Sequence, residues 1–373
     1  MRPPVCSYLT DVYFGFGAVA DTPEVLAKLD VLRPLVITDA GLVKLGYVQR
    51  LGLGAPAVFD RVETNPGASS AREGLRQYRE HACDGIVALG GGSPIDLAKI
   101  VALLVNHAEP LEQYAILNGG VAKITARVPA ILAVPTTAGS GSEVGRAALL
   151  TFDSGEKLGF LSPHLLPKAA LCDPELTLGL PPALTAGTGM DALSHCVETF
   201  LSTRVNPVAD AIALEGFARG ISGIRTAVHD GSNRVAREQM MWCSVMGGLA
   251  FPKSLGAVHS LSHPLGGLKG KRLHHGTLNA LFLPHVLEFN QTFCKEKLER
   301  LASIAGVKGG AQLPAFFAKL NEEIGLPARL RDLGVSREEL EPLAEKALRD
   351  HCSPTNPRPL DLEACRTLYL AAW

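Results

Sequence analysis

The sequence carries almost no net charge: 36 Lys+Arg stand against 37 Asp+Glu among 373 residues, a formal −1 at pH 7. So balanced a chain presents no electrostatic footprint for nucleic acid or an anionic membrane surface, and the expected partner is a small molecule. Its eight cysteines, at positions 6, 83, 172, 196, 243, 294, 352 and 365, include no C-x-x-C pair. That scatter argues against a zinc ribbon, a redox dithiol and a disulfide framework, and predicts reduced core residues in a cytoplasmic protein. The first residues, MRPPVCSYLT, lack a basic segment followed by an apolar one, and the most apolar window, GIVALGGGSPIDLAKIVALLV, is broken by three glycines, a proline and two charges. Neither an export signal nor a membrane span is expected. Internal repeats and low-complexity segments are missing, and so is the G-x-G-x-x-G fingerprint of the common dinucleotide-binding turn.

What is present divides into two patterns. With 47% hydrophobic residues the chain can build a sizeable core, and its length favours two domains. Up to about residue 180, short apolar runs alternate with longer amphipathic ones. Leu35–Thr38, Ala57–Phe59, Gly85–Leu89 and Ala130–Val134 read as strands bounded by Gly, Pro or Asp, and Pro66–His81 and Pro94–His107 as helices. Strands apolar throughout their length indicate a parallel sheet covered on both faces, hence a doubly wound, Rossmann-like α/β domain over 1–182. Beyond Pro181-Pro182 the strand signals vanish, and 183–202, 207–222, 233–251, 258–265, 276–290, 295–306, 311–325 and 336–350 carry helical periodicity, the last opened by a Ser336/Glu339 capping box. An all-α domain over 183–373 follows.

Three elements of the first half sit at strand carboxyl ends. Gly90-Gly91-Gly92-Ser93-Pro94-Ile95-Asp96 follows one strand and opens a helix, so its backbone can approach a phosphate at a helix N-terminus. Asp39 ends another, where a carboxylate can accept from adenosine ribose hydroxyls, and Pro135-Thr136-Thr137-Ala138-Gly139-Ser140-Gly141-Ser142-Glu143 ends a third. One dinucleotide lying across all three accounts for them together.

The second half concentrates four of the eleven histidines between residues 257 and 276. His259 and His263 stack one turn apart on a helix face, Asp191 and His195 do the same on another helix, and His274-His275 lie on a following loop. One carboxylate and three imidazoles without thiolate suit a divalent ion, Fe(II) or Zn(II). Phe152, Phe251 and Leu261 are candidates for the apolar lining of a substrate pocket.

These motifs together resemble the iron-containing (group III) alcohol dehydrogenase family. The likeness runs through Phe14-Gly15-Phe16-Gly17, Thr64-Asn65-Pro66, GGGSPIDLAK, PTTAGSGSE, DALSHCVE, HSLSHPLGG, HHGTLNALFLPHVLEFN and Thr355-Asn356-Pro357-Arg358, covering essentially the whole chain. It implies an N-terminal α/β domain that binds NAD(P), a helical domain that binds the metal, and a substrate reacting in the cleft between them. Carried over by position, it implies metal ligands Asp191, His195, His259 and His275, and a proton-handling role for His263 beside nicotinamide and substrate. Asn65, Gly91, Gly92, Ser93, Asp96, Thr136, Thr137 and Lys157 are implied as cofactor contacts, and Asp39 as the ribose acceptor favouring NAD over NADP. A homodimer or larger assembly is implied as well. Two departures stand out: the His263-to-His275 spacing is about two residues longer than the family's, and His274 replaces the usual proline and competes as a ligand. The inserted GLKGKR brings Lys269, Lys271 and Arg272, which can attract an acidic substrate.

The expected activity is thus metal-dependent hydride transfer between a primary alcohol, or its aldehyde, and NAD. The alternatives are a maleylacetate-reductase-like or phosphonate- or carboxylate-aldehyde reductase acting on an acidic carbonyl, and a nucleotide-binding protein without catalysis. The presence of Asp191, a carboxylate that metal-free relatives tend to lose, favours the first.

Overall fold

The computed structural model describes residues 8, 10–152, 155–268, 270, 271 and 273–373; Cys6, Lys269 and Arg272 lie outside the described residues. The chain divides into two compact units, Tyr8–Leu178 and Gly179–Trp373.

In the first unit the strands are β1 (Asp11–Phe14), β2 (Pro34–Ile37), β3 (Ala57–Phe59), β4 (Gly85–Gly90), β5 (Ala130–Pro135), β6 (Ala147–Thr151), β7 (Lys157–Leu161) and β8 (Ala169–Cys172). Among the described residues six form a parallel sheet in the order β1-β8-β5-β4-β2-β3, and β6 and β7 form an antiparallel pair. Every residue of β2, β4 and β8 is buried, as continuous apolar strands with both faces covered must be. The sequence reading finds the four strands at β2 to β5 and passes over the rest. β1 is short with a partly exposed pattern, β8 is half alanine, and β6 and β7 bury only alternate residues.

The helices of this unit are α1 (Thr22–Lys28), α2 (Ala40–Lys44), α3 (Tyr47–Arg50), α4 (Ala68–Glu80) and α5 (Gly92–Asn106). α5 is buried along most of its length, from Pro94 to Leu104, and is hydrophobic nearly all round for that reason. Strand β3, which follows β2, lies on one side of it, whereas β5, which follows β4, lies on the other. The chain therefore leaves the carboxyl ends of the adjacent strands β2 and β4 in opposite directions, which opens a crevice there, the usual place for a ligand on a doubly wound sheet.

The second unit is helical throughout among its described residues: α6 (Pro182–Leu201), α7 (Pro207–His229), α8 (Arg234–Leu249), α9 (Ala257–Leu265), α10 (His275–Asn290), α11 (Lys295–Ala305), α12 (Leu313–Glu323), α13 (Leu340–Leu348) and α14 (Leu362–Ala372). α6 packs against α7, α8 and α10, and it is buried from Gly189 to Leu201 without interruption. Asn206 and Asn233 cap α7 and α8 by accepting from Ala209 N and Ala236 N, both at 3.1 Å.

Three readings need correction. α7 continues to His229 rather than ending at 222. α13 begins at Leu340 rather than 336: Glu339 does accept from Ser336 N at 2.7 Å, but Glu339 itself is the N-cap, with no side-chain cap bond. α14 was not expected. No helix among the described residues is long and apolar enough to cross a membrane. The cysteines at 172, 196, 243, 294, 352 and 365 are free and buried, and Cys83 is free and half-buried.

Candidate metal and nucleotide sites

Asp191 and His195 occupy one face of α6, His259 lies on α9, and His275 is the first residue of α10. Asp191 Oδ1 lies 3.6 Å from His195 Nε2, 3.8 Å from His259 Nε2 and 3.8 Å from His275 Nε2. In a tetrahedron of ~2.1 Å metal bonds the ligand atoms stand about 3.4 Å apart, so these separations are those of ligands around one ion. The donor atoms of Asp191, His195 and His259 all lie within 4.8 Å of one another. The rings of His195 and His259 stack at 4.8 Å, and that of His275 meets His259 edge-on at 5.3 Å.

Two residues that the sequence reading overlooked set the protonation of this group. Glu198, on α6 three residues beyond His195, bonds His259 Nδ1 and also accepts from Val258 N at 2.7 Å. A carboxylate only accepts, so Nδ1 carries the ring proton and Nε2 turns its lone pair toward Asp191. Asn279, one turn after His275, places Nδ2 2.7 Å from Asp191 Oδ1, 3.0 Å from His259 Nε2 and 3.1 Å from His275 Nε2. An amide NH₂ has two protons for these three atoms: with one given to Asp191 Oδ1, the other meets one imidazole nitrogen, and the nitrogen that accepts it presents its lone pair. Asn279 Oδ1, buried beside them, has no partner among the described residues. A carboxylate oxygen and imidazole nitrogens converging without thiolate fit a divalent cation.

His274 is turned elsewhere. It caps α10, its Nδ1 accepting from Thr277 N at 3.3 Å and lying 3.1 Å from Thr277 Oγ1, so the geometry brings His275, not His274, to Asp191. The pairing depends on a close approach of α6 and α10: a Cβ built on Gly276 would stand 2.1 Å from Gly187 O, and one on Gly187 2.6 Å from His274 Cε1. His263 lies outside the ligand group. Its ring stacks on His275 at 5.4 Å, and its Nδ1 is 2.9 Å from Asp350 Oδ2. Phe251 packs edge-on against His195 at 4.9 Å. Of the other two apolar candidates, Leu261 is fully buried on α9 and Phe152 stacks on Phe160 in the first unit. Lys271 pairs with Glu339.

In the first unit Asp39, Gly91, Gly92, Ser93, Thr136 and Thr137 follow the carboxyl ends of β2, β4 and β5. Gly91 precedes α5 with no side-chain cap, leaving the first N–H groups of that helix directed outward. The turn is tight on both sides: at Gly90, φ +146°, a Cβ would lie 2.5 Å from Pro94, and at Gly92 3.0 Å from Ser140 Cβ. Thr136 N donates to Gly90 O at 3.0 Å, and a Cβ on Gly91 would come 3.1 Å from Thr137 Oγ1. Ser93 is partly exposed on the first turn of α5. Asp39 caps α2, its Oδ1 accepting from Leu42 N at 3.0 Å. Asn65, in the left-handed region at φ 57°, accepts from Lys157 Nζ at 2.9 Å. Asp96 points inward instead: Oδ1 accepts from Ser142 Oγ at 2.6 Å and Oδ2 from Leu149 N at 3.0 Å. One turn on, the fully buried Lys99 donates to Ser142 O, Ser142 Oγ, Gly145 O and Ala147 O at 2.7–2.9 Å. Burial lowers Lys99 to about 8, with Asp96 and Glu143 acting against it. The Asp96 and Lys99 pair thus ties down the loop that follows Thr136 and Thr137.

Two family models match: "Iron-containing alcohol dehydrogenase" over residues 10–174, and "Fe-containing alcohol dehydrogenase family, C-terminal" over residues 185–373. The chain belongs to the iron-containing alcohol dehydrogenase family. Like other iron-containing alcohol dehydrogenases it is an oxidoreductase acting on CH–OH groups, consistent with a metal-dependent alcohol dehydrogenase or aldehyde reductase. Among family members it is 48% identical over 363 residues to a 4-hydroxybutyrate dehydrogenase of Cupriavidus necator, covering 94% of this chain and 95% of the relative. The structure of a 1,3-propanediol oxidoreductase superposes with a TM-score of 0.93 at 37% identity, over 99% of this chain and 100% of that one. A sulfoacetaldehyde reductase from Bifidobacterium kashiwanohense, solved in complex with NAD+, gives a TM-score of 0.91 at 28% identity, over 100% and 99% of the two chains.

Proposed function

We propose that this protein is an NAD-dependent dehydrogenase of short primary alcohols, working in the cytoplasm as a homodimer or larger assembly, with Asp191, His195, His259 and His275 holding Fe(II) or Zn(II). The convergence of three imidazole nitrogens on Asp191 Oδ1 at 3.6–3.8 Å carries the reading. When bound, the ion supplies Lewis acidity at the substrate oxygen and NAD accepts the hydride. The residues of the chain do the rest. Glu198 and Asn279 hold His259 and His275 in the tautomer that offers Nε2, and His263, with its Nδ1 proton committed to Asp350, takes the alcohol proton on Nε2. Gly91, Gly92, Ser93, Thr136 and Thr137 form the pyrophosphate seat at the crevice. Asn65 and Lys157 stand beside it, Asp96 braces it from within, and Asp39 favours NAD over the 2′-phosphate of NADP.

The relative named for 4-hydroxybutyrate favours one refinement, an alcohol bearing a carboxylate at the far end. Elemental analysis of the purified protein, followed by NAD-linked assays on 4-hydroxybutyrate, 1,3-propanediol and unsubstituted alcohols with the metal found, tests both. Activity that survives proven metal removal rejects the metal-dependent reading, and equal kcat/KM for charged and uncharged alcohols rejects the refinement. Chromatography with light scattering checks the assembly.

A further inference from the structure

The imidazole of His263 is held by three of the chain's own groups. Its ring stacks with that of His275, with centroids 5.4 Å apart and planes 12° from parallel, and with that of His351, at 5.6 Å and 11°. The stacked rings fix the plane of His263 and leave open the half-turn about Cβ–Cγ, which keeps that plane while exchanging the ring's nitrogens with its carbons. Asp350 removes that freedom: its Oδ2 lies 2.9 Å from His263 Nδ1, while its Oδ1 accepts from Cys352 N at 2.9 Å, so the carboxylate is anchored to its own backbone before it touches the histidine. The Asp350 carboxyl is held well below the usual carboxylate range, because the attraction of His263 and the hydrogen bonds it accepts outweigh the burial that would raise it. Asp350 and His351 cluster with His263 and Cys352, apart from the group of Asp191, His195 and His259. The arrangement joins residues 87 positions apart, with α9 contributing the histidine and the segment after α13 its holders.

We propose that Asp350 is a positioning residue for His263: it fixes the tautomer with the proton on Nδ1 and directs the Nε2 lone pair away from itself, while His351 supplies the flat wall that sets the ring plane. Left free to rotate, the ring would offer Nε2 in the required direction for only part of the time, and without a carboxylate at Nδ1 the tautomer with its proton on Nε2, which cannot accept, would compete.

This inference rests on the reading of His263 as the proton-handling group, and a double-mutant cycle separates the two. Asp350→Ala is expected to lower kcat about 10- to 100-fold, the range for loss of a group that orients a functional histidine, with KM and bound metal unchanged within about twofold. Asp350→Asn keeps an acceptor for Nδ1–H, so it should recover most of that loss; it also carries the cycle if the alanine variant does not fold. His351→Phe keeps a flat ring and should stay within about threefold of wild type, whereas His351→Ala should fall below it. In a His263→Ala background neither Asp350 variant should slow turnover further. Full kcat in Asp350→Ala, or the same fold-loss with and without His263, overturns the proposal. Full kcat in His263→Ala overturns the proton-handling reading instead and leaves the metal site standing.

Discussion

The most telling perturbation of the proposed metal site leaves every proposed ligand in place. Glu198 is nearly fully buried, and its two oxygens serve different masters: one accepts from Val258 N at the start of α9, the other bonds His259 Nδ1. Glu198→Ala would orphan both buried donors at about 1–3 kcal/mol each, a loss large enough to blur stability with function. Glu198→Gln is nearly isosteric and separates them. Its carbonyl can keep the bond to Val258 N, but its NH₂ then faces His259 Nδ1 and favours the tautomer with the proton on Nε2, where a metal must bind. The metal-free protein should lose about 1 kcal/mol, one charge-assisted bond exchanged for a neutral one. Metal affinity should fall about 10- to 100-fold, equivalent to about 1.4–2.7 kcal/mol. Competition against chelators of graded strength gives the affinity, and urea unfolding of the metal-free protein gives the stability. If Glu198→Gln binds metal within a factor of two of wild type, the tautomer argument is wrong, whatever its effect on stability.

Other substitutions test the remaining assignments. His275→Ala should abolish stoichiometric metal, whereas His274→Ala should retain it and lose only about 1 kcal/mol of stability through the missing cap; the reverse pattern in elemental analysis would show the wrong histidine was chosen. Lys99→Met removes the donor to Gly145 O and Ala147 O, whereas Ser142 O keeps Gly145 N and Ser142 Oγ keeps Asp96, so it should cost about 2–6 kcal/mol in urea unfolding, at about 1–3 kcal/mol for each oxygen left bare. Because burial lowers Lys99 to about 8, between there and its unfolded value near 10.5 the unfolded chain holds a proton that the folded chain has released. Stability therefore gains a rising contribution with pH across that window, and a Lys99→Met variant whose unfolding curves show the same rise would refute it. Asp39→Gly should narrow the preference for NAD over NADP at least tenfold, read from the ratio of kcat/KM values, and an unchanged ratio would remove Asp39 from the ribose site.

The sequence made the frame of the molecule legible because its strongest signals are periodic. Continuous apolar runs marked β2, β4 and β5, and long stretches of helical periodicity marked α4 to α8. The weak elements escaped for the opposite reason: β8 reads as Ala-Ala-Leu-Cys, and β6 and β7 bury only alternate residues. At the site, Asp191, His195 and His259 could be singled out because i, i+4 spacing is visible on one helix, and the geometry then separated His275 from its neighbour. Glu198 was within reach of the same reasoning, one turn past His195, and Asn279 one turn past His275, yet a carboxylate and an amide inside apolar helices read as incidental. Asp350 and His351 had no local signal at all, since their meaning comes from a contact across most of the helical unit. Asp96 shows the converse: a residue beside a glycine turn invites a ligand-facing reading, whereas both of its oxygens are engaged by the protein.

The glycine contact between α6 and α10 bears on how selective the centre can be. Where ligands hang on flexible side chains, an ion of the wrong radius is accommodated by small rotations at little cost. Here Gly187 and Gly276 bring two main chains against each other, and the helices carrying Asp191 and His275 cannot close further without backbone overlap. With Asp191 and His275 as the proposed ligands, the lower limit on the width of the coordination sphere would be mechanical. A methyl group at position 276, which touches no metal, would spread the helices, and its first symptom would be a changed order of preference among divalent ions before any loss of fold.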